Sequence, residues 1–305
     1  MQSVILFIFV LCCCQAQGQT WTMHAEELGI NHSVSVTGQY GAGVSFYDVN
    51  QDGWDDLTLC HNELAIKLYL NNQGTFDNPI DIVANDQEVK QVTWVDYDND
   101  GDPDLFVTRR LASFMLFQND GNLNLTEVTE TAGFPFTSIL TFGHTWGDYD
   151  RDGWLDVYIC NYNGSTYTNL LFHNNGNGTF TDVTENLDIG DESCNSFQPN
   201  FIDVNNDLWP DLFIANDREN CRNSLYLNTQ GSFTDVSEIS QINGYFFAMN
   251  NTAADYDHDG DLDIYVTNNP FGNKFYLNDG EGYFSEQAEN LGVATFDHSW
   301  SAQWV

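Results

Sequence analysis

Five nine-residue stretches carry oxygen-bearing side chains at the same offsets: DVNQDGWDD (48–56), DYDNDGDPD (96–104), DYDRDGWLD (148–156), DVNNDLWPD (203–211) and DYDHDGDLD (255–263). Positions 1, 3, 5 and 9 are Asp or Asn in every one. Oxygens spaced this way suit a hard divalent cation, because Ca²⁺ takes roughly six to eight oxygens at ~2.3–2.6 Å. The expected ligands are Asp48, Asn50, Asp52 and Asp56 in loop one, and Asp96, Asp98, Asp100 and Asp104 in loop two. Loop three offers Asp148, Asp150, Asp152 and Asp156, loop four Asp203, Asn205, Asp207 and Asp211, and loop five Asp255, Asp257, Asp259 and Asp263. The carbonyl of position 7 completes each set, giving about five Ca²⁺ sites. Gly53, Gly101, Gly153 and Gly260 at position 6 allow a sharp turn through positive φ. Loop four has Leu208 there, with Pro210 nearby, and departs most from the pattern.

Other ions fit less well. Mg²⁺ resists giving up its water for an all-protein cage, and Zn²⁺ lacks its usual set of Cys and His ligands, positions 1, 3, 5 and 9 being all Asp or Asn. Nor are the loops EF-hands, which need Glu at position 12 between two helices. Position 12 is Leu59, Val107, Ile159, Ile214 and Val266, all apolar. Ordinary polar turns would explain Asp and Gly singly, but no turn demands three or four oxygens at fixed offsets five times.

The loops must be positioned by a repeated element, and the spacing supplies it. Their first aspartates lie 48, 52, 55 and 52 residues apart, and Asn71, Asn119, Asn174, Asn228 and Asn278 follow them by 23 to 26 residues. A Gly turn comes next, usually with an aromatic such as Phe76, Phe180, Phe233 or Phe284; the second repeat has Leu125. Each unit reads as four short strands. The first leads into the loop (44–47, 92–95) and the second leaves it (57–59, 105–107, 157–159, 212–214, 264–266). The third precedes the landmark Asn and the fourth follows the aromatic. About 50 residues and four strands per unit indicate an all-β fold, a β-propeller of four-stranded blades. Residues 21–30 resemble 284–293, so the chain enters with an outer strand able to complete the last blade. Residues 303–305 resemble 93–95, the approach to an acidic loop. The expectation is a propeller over 19–305 that stops inside a sixth repeat, the complete protein continuing to seven blades.

Eight basic against 45 acidic residues give 8 − 45 = −37, which excludes nucleic acid as partner, since a phosphate backbone is held by Lys and Arg. Disorder is excluded too: 22 Phe, 14 Tyr and 8 Trp make 44 aromatics, enough for a large core. Residues 4–14 form one apolar run, too short for a bilayer core of ~30 Å, followed by small residues before a cut at Gln19. Residues 1–18 therefore read as a signal peptide; a lipoprotein signal with Cys14 lipidated is the rival. No later segment is apolar enough to span a membrane, and the expected location is secreted. Cys60, Cys160, Cys194 and Cys221 remain after cleavage. An oxidising compartment permits a bridge, placed between Cys194 and Cys221 in two loops flanking one strand pair. Cys60 and Cys160 read as small buried hydrophobes. Sequons stand at Asn31, Asn124, Asn163, Asn177 and Asn250.

With these loops, and the phrase LFHNNGNGTFTDVT at 171–184, the chain resembles the FG-GAP/VCBS repeat family, which includes the integrin α-chain propeller and the cartilage acidic protein (ASPIC/UnbV) group. The resemblance covers nearly all of 21–305 and implies a calcium-stabilised propeller used for adhesion or ligand binding. On the rim opposite the acidic loops, the turns after strand two bring forward His61, Asn62, Arg109, Arg110, Asn161, Tyr162, Asn216, Asp217, Asn268 and Asn269. Amides, an aromatic and two of the rare arginines there suit a sugar or a protein loop; strand-end capping by Asn is the alternative. The histidines are scattered, His144 among them, and no nucleophile motif appears, so catalysis is not expected. The expected function is a secreted, calcium-binding adhesion or ligand-binding module for an extracellular protein or glycan. A calcium-dependent lectin, or a polysaccharide-acting enzyme, stands as the alternative.

Overall fold

The computed structural model describes residues 24–30, 42–61, 64–84, 87–135, 140–162, 166–191, 194–219, 221–242, 244–268, 271–297 and 299–304. The signal-peptide reading of 1–18 lies outside them, as do Asn31, Asn62, Asn163 and Asn269. Among the described residues, no helix is long and apolar enough to cross a membrane.

Each repeat forms one antiparallel four-stranded sheet, and five such sheets follow one another along the chain. Sheet one holds β1 (Val44–Tyr47), β2 (Asp56–Leu59), β3 (Ile66–Tyr69) and β6 (Ile80–Val83), with a side hairpin of β4 (Asn71–Asn72) and β5 (Thr75–Phe76). Sheet two is β7 (Glu88–Val95), β8 (Asp104–Arg110), β9 (Met115–Asn119) and β10 (Leu125–Glu127). Sheet three is β11 (Thr141–Gly147), β12 (Asp156–Asn161), β13 (Leu170–Asn174) and β14 (Phe180–Asp182), after which comes the single turn α1 (Thr184–Leu187). Sheet four is β15 (Asn195–Ile202), β16 (Asp211–Asp217), β17 (Ser224–Thr229) and β18 (Ser232–Asp235). Sheet five is β19 (Ala248–Ala254), β20 (Asp263–Asn268), β21 (Lys274–Asn278) and β22 (Phe284–Glu286), followed by α2 (Ala288–Leu291).

In repeats two to five all four strands lie where the sequence puts them, and in the first repeat the first three do. The second strand runs further, starting at the ninth loop residue and ending at Arg110, Asn161, Asp217 and Asn268 in sheets two to five. The fourth strand of the first repeat is a correction: it is Ile80–Val83, because Thr75–Phe76 folds back on Asn71–Asn72 instead.

The sheets pack face to face in chain order. One apolar cluster joins sheets one and two through Val49, Leu68, Trp94 and Leu105, and another joins two and three through Tyr97, Phe106, Phe134 and Phe172. Tyr149, Leu171, Leu212 and Tyr226 join three and four, and Val204, Phe213, Ile264 and Phe284 join four and five. In sheets two to four the second strand thus has a neighbouring sheet on both faces, which is why its residues are continuously apolar rather than alternating. Leu105, Phe106 and Val107 are all fully buried. At ~25 cal/mol per Å² of apolar surface, these shared faces are the main source of stability.

The segment 24–30 repeats the hydrogen bonding of 287–293. Leu28 N–H donates to His24 O and Ile30 N–H to Ala25 O, matched by Leu291 to Gln287 and Val293 to Ala288. It seats on sheet one, where Phe76 N–H donates to Leu28 O at 3.0 Å, as Phe180 donates to Ala132 and Phe284 to Ser240 between later sheets. Its side chains Ala25, Leu28 and Ile30 cover Leu57, Leu59 and Tyr69. At the other end Trp304 lies against Tyr256 and Phe275 of sheet five, without joining a strand.

Candidate functional site

The acidic loops share one backbone plan. Position 1 accepts two N–H groups: Asp48 Oδ1 from Asp52 at 3.0 Å and Oδ2 from Gly53 at 2.7 Å, with the same pair repeated at Asp96, Asp148, Asp203 and Asp255. Position 5 accepts the N–H of position 7, as in Trp54 to Asp52 at 2.9 Å. The side chains of positions 1 and 5 are thereby aimed into the loop before any ion is considered. Position 6 is left-handed throughout, with φ of 91° at Gly53, 93° at Gly101, 95° at Gly153 and 98° at Gly260. A Cβ on any of these four would touch nothing within 4 Å, so glycine is there for φ and not for space. Leu208 takes φ 70° and keeps every one of these bonds, so loop four has the same geometry despite its residue.

Position 9 has a second task. Asp56, Asp104, Asp156, Asp211 and Asp263 are buried at the start of the second strand. One oxygen of each accepts the N–H of position 2 and the other the N–H of the landmark Asn, as in Val49 and Asn71 on Asp56 at 3.1 and 2.7 Å. Burial raises these carboxyls above the ordinary aspartate range, to about 6 at Asp56, about 7 at Asp104 and Asp211, and about 8 at Asp156. Asp263 is raised for the same reason.

The landmark asparagines, which the sequence marks but does not explain, tie the loop to its surroundings. The Asn174 amide donates to Leu155 O in its own repeat and to Tyr97 O in loop two, at 3.1 and 2.8 Å. Asn228 reaches Tyr149 O in loop three and Asn278 reaches Val204 O in loop four, at 2.7 and 2.8 Å. Position 4 makes a second link. Gln51 donates to Gly101 O, Asn99 to Gly153 O and Asn206 to Asp261, while Arg151 lies 5.2 Å over the Trp209 ring. The loops are therefore side by side along one rim, each touching the next.

Carboxylates converge in three loops: Asp96, Asp98 and Asp104; Asp148, Asp150 and Asp152; and Asp255, Asp257 and Asp259. His173 joins Asp150 and Asp156 in loop three. Asp98 Oδ1 and Asp150 Oδ1 are buried without a hydrogen-bond partner. Both carboxyls are raised, first by burial and then by the neighbouring Asp100 and Asp152. Unsatisfied buried oxygens among like charges are costly unless a cation meets them. The donor set, all oxygen apart from His173, fits a hard divalent ion. In loops one and four Asn50 and Asn205 instead donate to Asp52 and Asp207 at 3.1 Å.

The far ends of the same strand pairs look different. Asn161, Asn216 and Asn268 are buried, and their amides donate to Thr168 O, Arg222 O and Gly272 O, closing the turn after the second strand. These three act as strand-end caps. Asp217 is buried as well, and accepts from Tyr162 at 3.0 Å and from Arg218, which also donates to the Tyr162 hydroxyl at 2.8 Å. Arg109 Nε donates to Ser113 O, Arg110 pairs with Glu88, and Glu88 also holds Lys90. His61 is buried at the end of β2. A β-bulge sits in the first strand of sheets two to five, at Lys90, at Phe142 and Gly143, at Phe197 and at Met249. Phe142, Phe197 and Met249 form one cluster with Tyr162 and Phe247, which strand alternation did not reveal because a bulge resets it. His144 is packed, 1% exposed, with Nε2 2.9 Å from Thr93 Oγ1 and its ring edge-on to Phe106, and burial lowers its pKa to about 3. Cys194 and Cys221 are bonded, with Cα atoms 5.5 Å apart, and Cys60 and Cys160 are buried thiols.

Between sheets two and three, on the acidic side, a groove of about 420 Å³ is lined by Tyr97, Asp98, Gln118, Trp154, Asn177 and Thr179. The half-buried Trp154 ring stands there beside amides and the Asp98 carboxylate, while Tyr97 is itself buried.

The model of the FG-GAP-like repeat matches this chain four times, at 48–107, 96–159, 148–214 and 203–266. The chain belongs to the FG-GAP-like repeat family. Each match runs from one acidic loop into the second strand of the next repeat, so the FG-GAP repeat straddles two sheets. No curated protein sequence matches the chain. Among solved structures, an Agrocybe aegerita lectin that recognises non-reducing terminal N-acetylglucosamine is similar at 20% identity and TM-score 0.51, over 79% of this chain and 64% of that one. BBS1N, solved in complex with ARL6DN, is similar at 11% identity and TM-score 0.51, over 81% of this chain and 68% of that one. Both support the fold. The chain spans less than two thirds of the length of that lectin.

Proposed function

We propose that this FG-GAP repeat chain is a secreted, calcium-stabilised binding module that holds an extracellular protein or glycan and performs no chemistry on it. The observation that carries the reading is the pair of buried, unpartnered oxygens on Asp98 and Asp150, each inside a converging carboxylate loop. Calcium then acts structurally: it neutralises the loops and lets neighbouring loops touch, which stiffens the rim beside the groove between sheets two and three. The test is calorimetric titration of the metal-stripped protein with Ca²⁺, run with thermal unfolding. Four or five equivalents with a large gain in melting temperature support the reading; no uptake refutes it.

A glycan is the second reading, favoured by the groove's half-buried Trp154 ring beside Gln118 and Asn177 and by the likeness in fold to a sugar-recognising lectin. Aromatic faces beside amides suit a sugar ring, one face apolar and its hydroxyls needing partners. Glycan-array binding that disappears in chelator and in Trp154→Ala would support it. Binding that survives Trp154→Ala would move the ligand to the opposite rim, where Tyr162 and Arg218 are only partly buried.

A further inference from the structure

The first repeat departs from the others at its side hairpin of β4 and β5, and the departure builds a recess. Asn71 pins the hairpin to loop one: its amide donates to Asp55 O at 2.9 Å, and its Oδ1 accepts the N–H of Gly74 at 2.8 Å. Asp77 N–H closes the base on Leu70 O at 2.9 Å. Between hairpin and loop lies a recess of about 330 Å³, whose apolar lining is Leu70 and Trp54 and whose polar lining includes Asn72, Gln73 and Asp77. Position 7 is tryptophan in three loops, and the three rings fare differently. Trp209 lies under the Arg151 guanidinium, 5.2 Å from its ring. Trp154 packs onto Gly176, where an added Cβ would come within 2.7 Å of its Nε1. Trp54 is 39% exposed, and among the described residues no ring or cation stacks on it. Nor do the side chains of Asn72, Gln73 and Asp77 hydrogen-bond to another described residue. A lone exposed tryptophan is ordinary on a surface. One set in a recess beside three unengaged polar side chains matches a sugar ring, apolar on one face and hydroxylated at its edge.

Resting on the reading of the Trp154 groove as a glycan site, we infer that the Trp54 recess is a second, weaker subsite for the same glycan chain. This rim then selects an extended neutral oligosaccharide over a single sugar. Loop one touches loop two through Gln51, whose amide is 2.6 Å from Gly101 O, and Asp98 of loop two lines the Trp154 groove, so the two recesses follow one another along the rim. The Trp54 recess is the smaller, about 330 against about 420 Å³, and is bounded by one repeat instead of two, which makes it the weaker. Its sugar is neutral because exposed Asp52 and Asp77, on a chain of net charge −37, repel carboxylated or sulfated rings, whereas Asp77 can accept from hydroxyls. The side chains it uses, Trp54, Asn72, Gln73 and Asp77, lie outside the oxygen set of loop one at positions 1, 3, 5 and 9.

The experiment titrates the full chain in Ca²⁺ with neutral cello- and chito-oligosaccharides of two and six units, with oligogalacturonate as the charged control. The expected result is at least tenfold tighter binding of one hexamer than of its dimer, and no binding of the galacturonate. In Trp54→Ala the hexamer falls to the dimer's affinity, while the dimer, calcium uptake and melting temperature are unchanged. Asn72→Ala combined with Gln73→Ala spares the ring and should also weaken the hexamer alone; it decides the matter if the first variant fails to fold. Equal affinity of dimer and hexamer in the parent, or undiminished length dependence in Trp54→Ala, overturns the inference and leaves the Trp154 groove as the glycan site. Galacturonate bound more tightly than the neutral series overturns it as well. Hexamer binding that survives Trp154→Ala but not Trp54→Ala sinks the groove and leaves this site standing. No sugar bound by the parent, on an array or in solution, removes both.

Discussion

The two ends of the same strand pairs obey different rules. At the loop end, five repeats reproduce one set of hydrogen bonds around positions 1, 5, 6 and 9, even where Leu208 replaces glycine. At the far end the repeats diverge: a Glu88 clamp on Lys90 and Arg110 in sheet two, a Tyr162–Asp217–Arg218 network joining sheets three and four, and a disulfide in sheet four. A converging carboxylate loop tolerates little variation, because misplacing one oxygen leaves charge uncompensated. A strand-end turn needs only that its own backbone groups find some partner, and many side chains can serve.

The strongest way to break this comparison is to remove the ion. With free Ca²⁺ tenfold above Kd, each site adds roughly 1.4 kcal/mol, so five sites lose about 7 kcal/mol in chelator. The expected outcome is a melting temperature that falls steeply in EDTA and returns with calcium. At the far end, replacing Cys194 and Cys221 with Ser opens a bridge spanning 27 residues and should cost about 3.5 kcal/mol in denaturant titration. Calcium affinity should not change. If it does, the two ends are coupled.

Asparagine substitutions sharpen the contrast. Asn174→Ala leaves the carbonyls of Tyr97 and Leu155 unpaired and should cost about 2–3 kcal/mol, with weaker calcium binding at loops two and three. Asn161→Ala should cost stability alone, since its amide serves only the turn at Thr168. A pH titration in chelator isolates position 9. The folded-state pKa values of Asp104, Asp156 and Asp211, about 7 to 8, lie above the unfolded value of 3.8. Their contribution is fully present below that unfolded value and is lost as pH rises through 7 and 8. Lowering pH from 8 to 6.5 should therefore raise metal-free stability by about 3 kcal/mol. With calcium the slope reverses, because protons then compete with the ion. The smallest effects concern φ at position 6. Gly101→Ala should cost about 1–2 kcal/mol by strain alone, and Leu208→Gly, at an exposed site, should gain about 0.5–1 kcal/mol.

Much of this molecule was legible in one dimension. Loop carboxylates and amides, glycine turns and apolar second strands recur with a period near 50 residues, and two of these are local consequences of residue type: absent Cβ for positive φ, branched and aromatic side chains for a covered strand. The kinship of 24–30 with 287–293 was equally visible, and the two do make the same turn. What only the tertiary structure decided lies between repeats. The bond from Asn174 to Tyr97, 77 positions away in sequence, exists because adjacent sheets bring one repeat's third strand beside the previous repeat's loop. The burial of Asn161, Asn216 and Asn268 follows from a second strand that outruns its apolar core, turning expected contact residues into caps. Likewise His173 is one scattered histidine in the sequence, and only the pairing of β12 with β13 sets it against Asp150 and Asp156. Periodicity tells which residues are equivalent; packing alone tells which of them meet, because contacts across a sheet interface depend on distances the chain order does not encode.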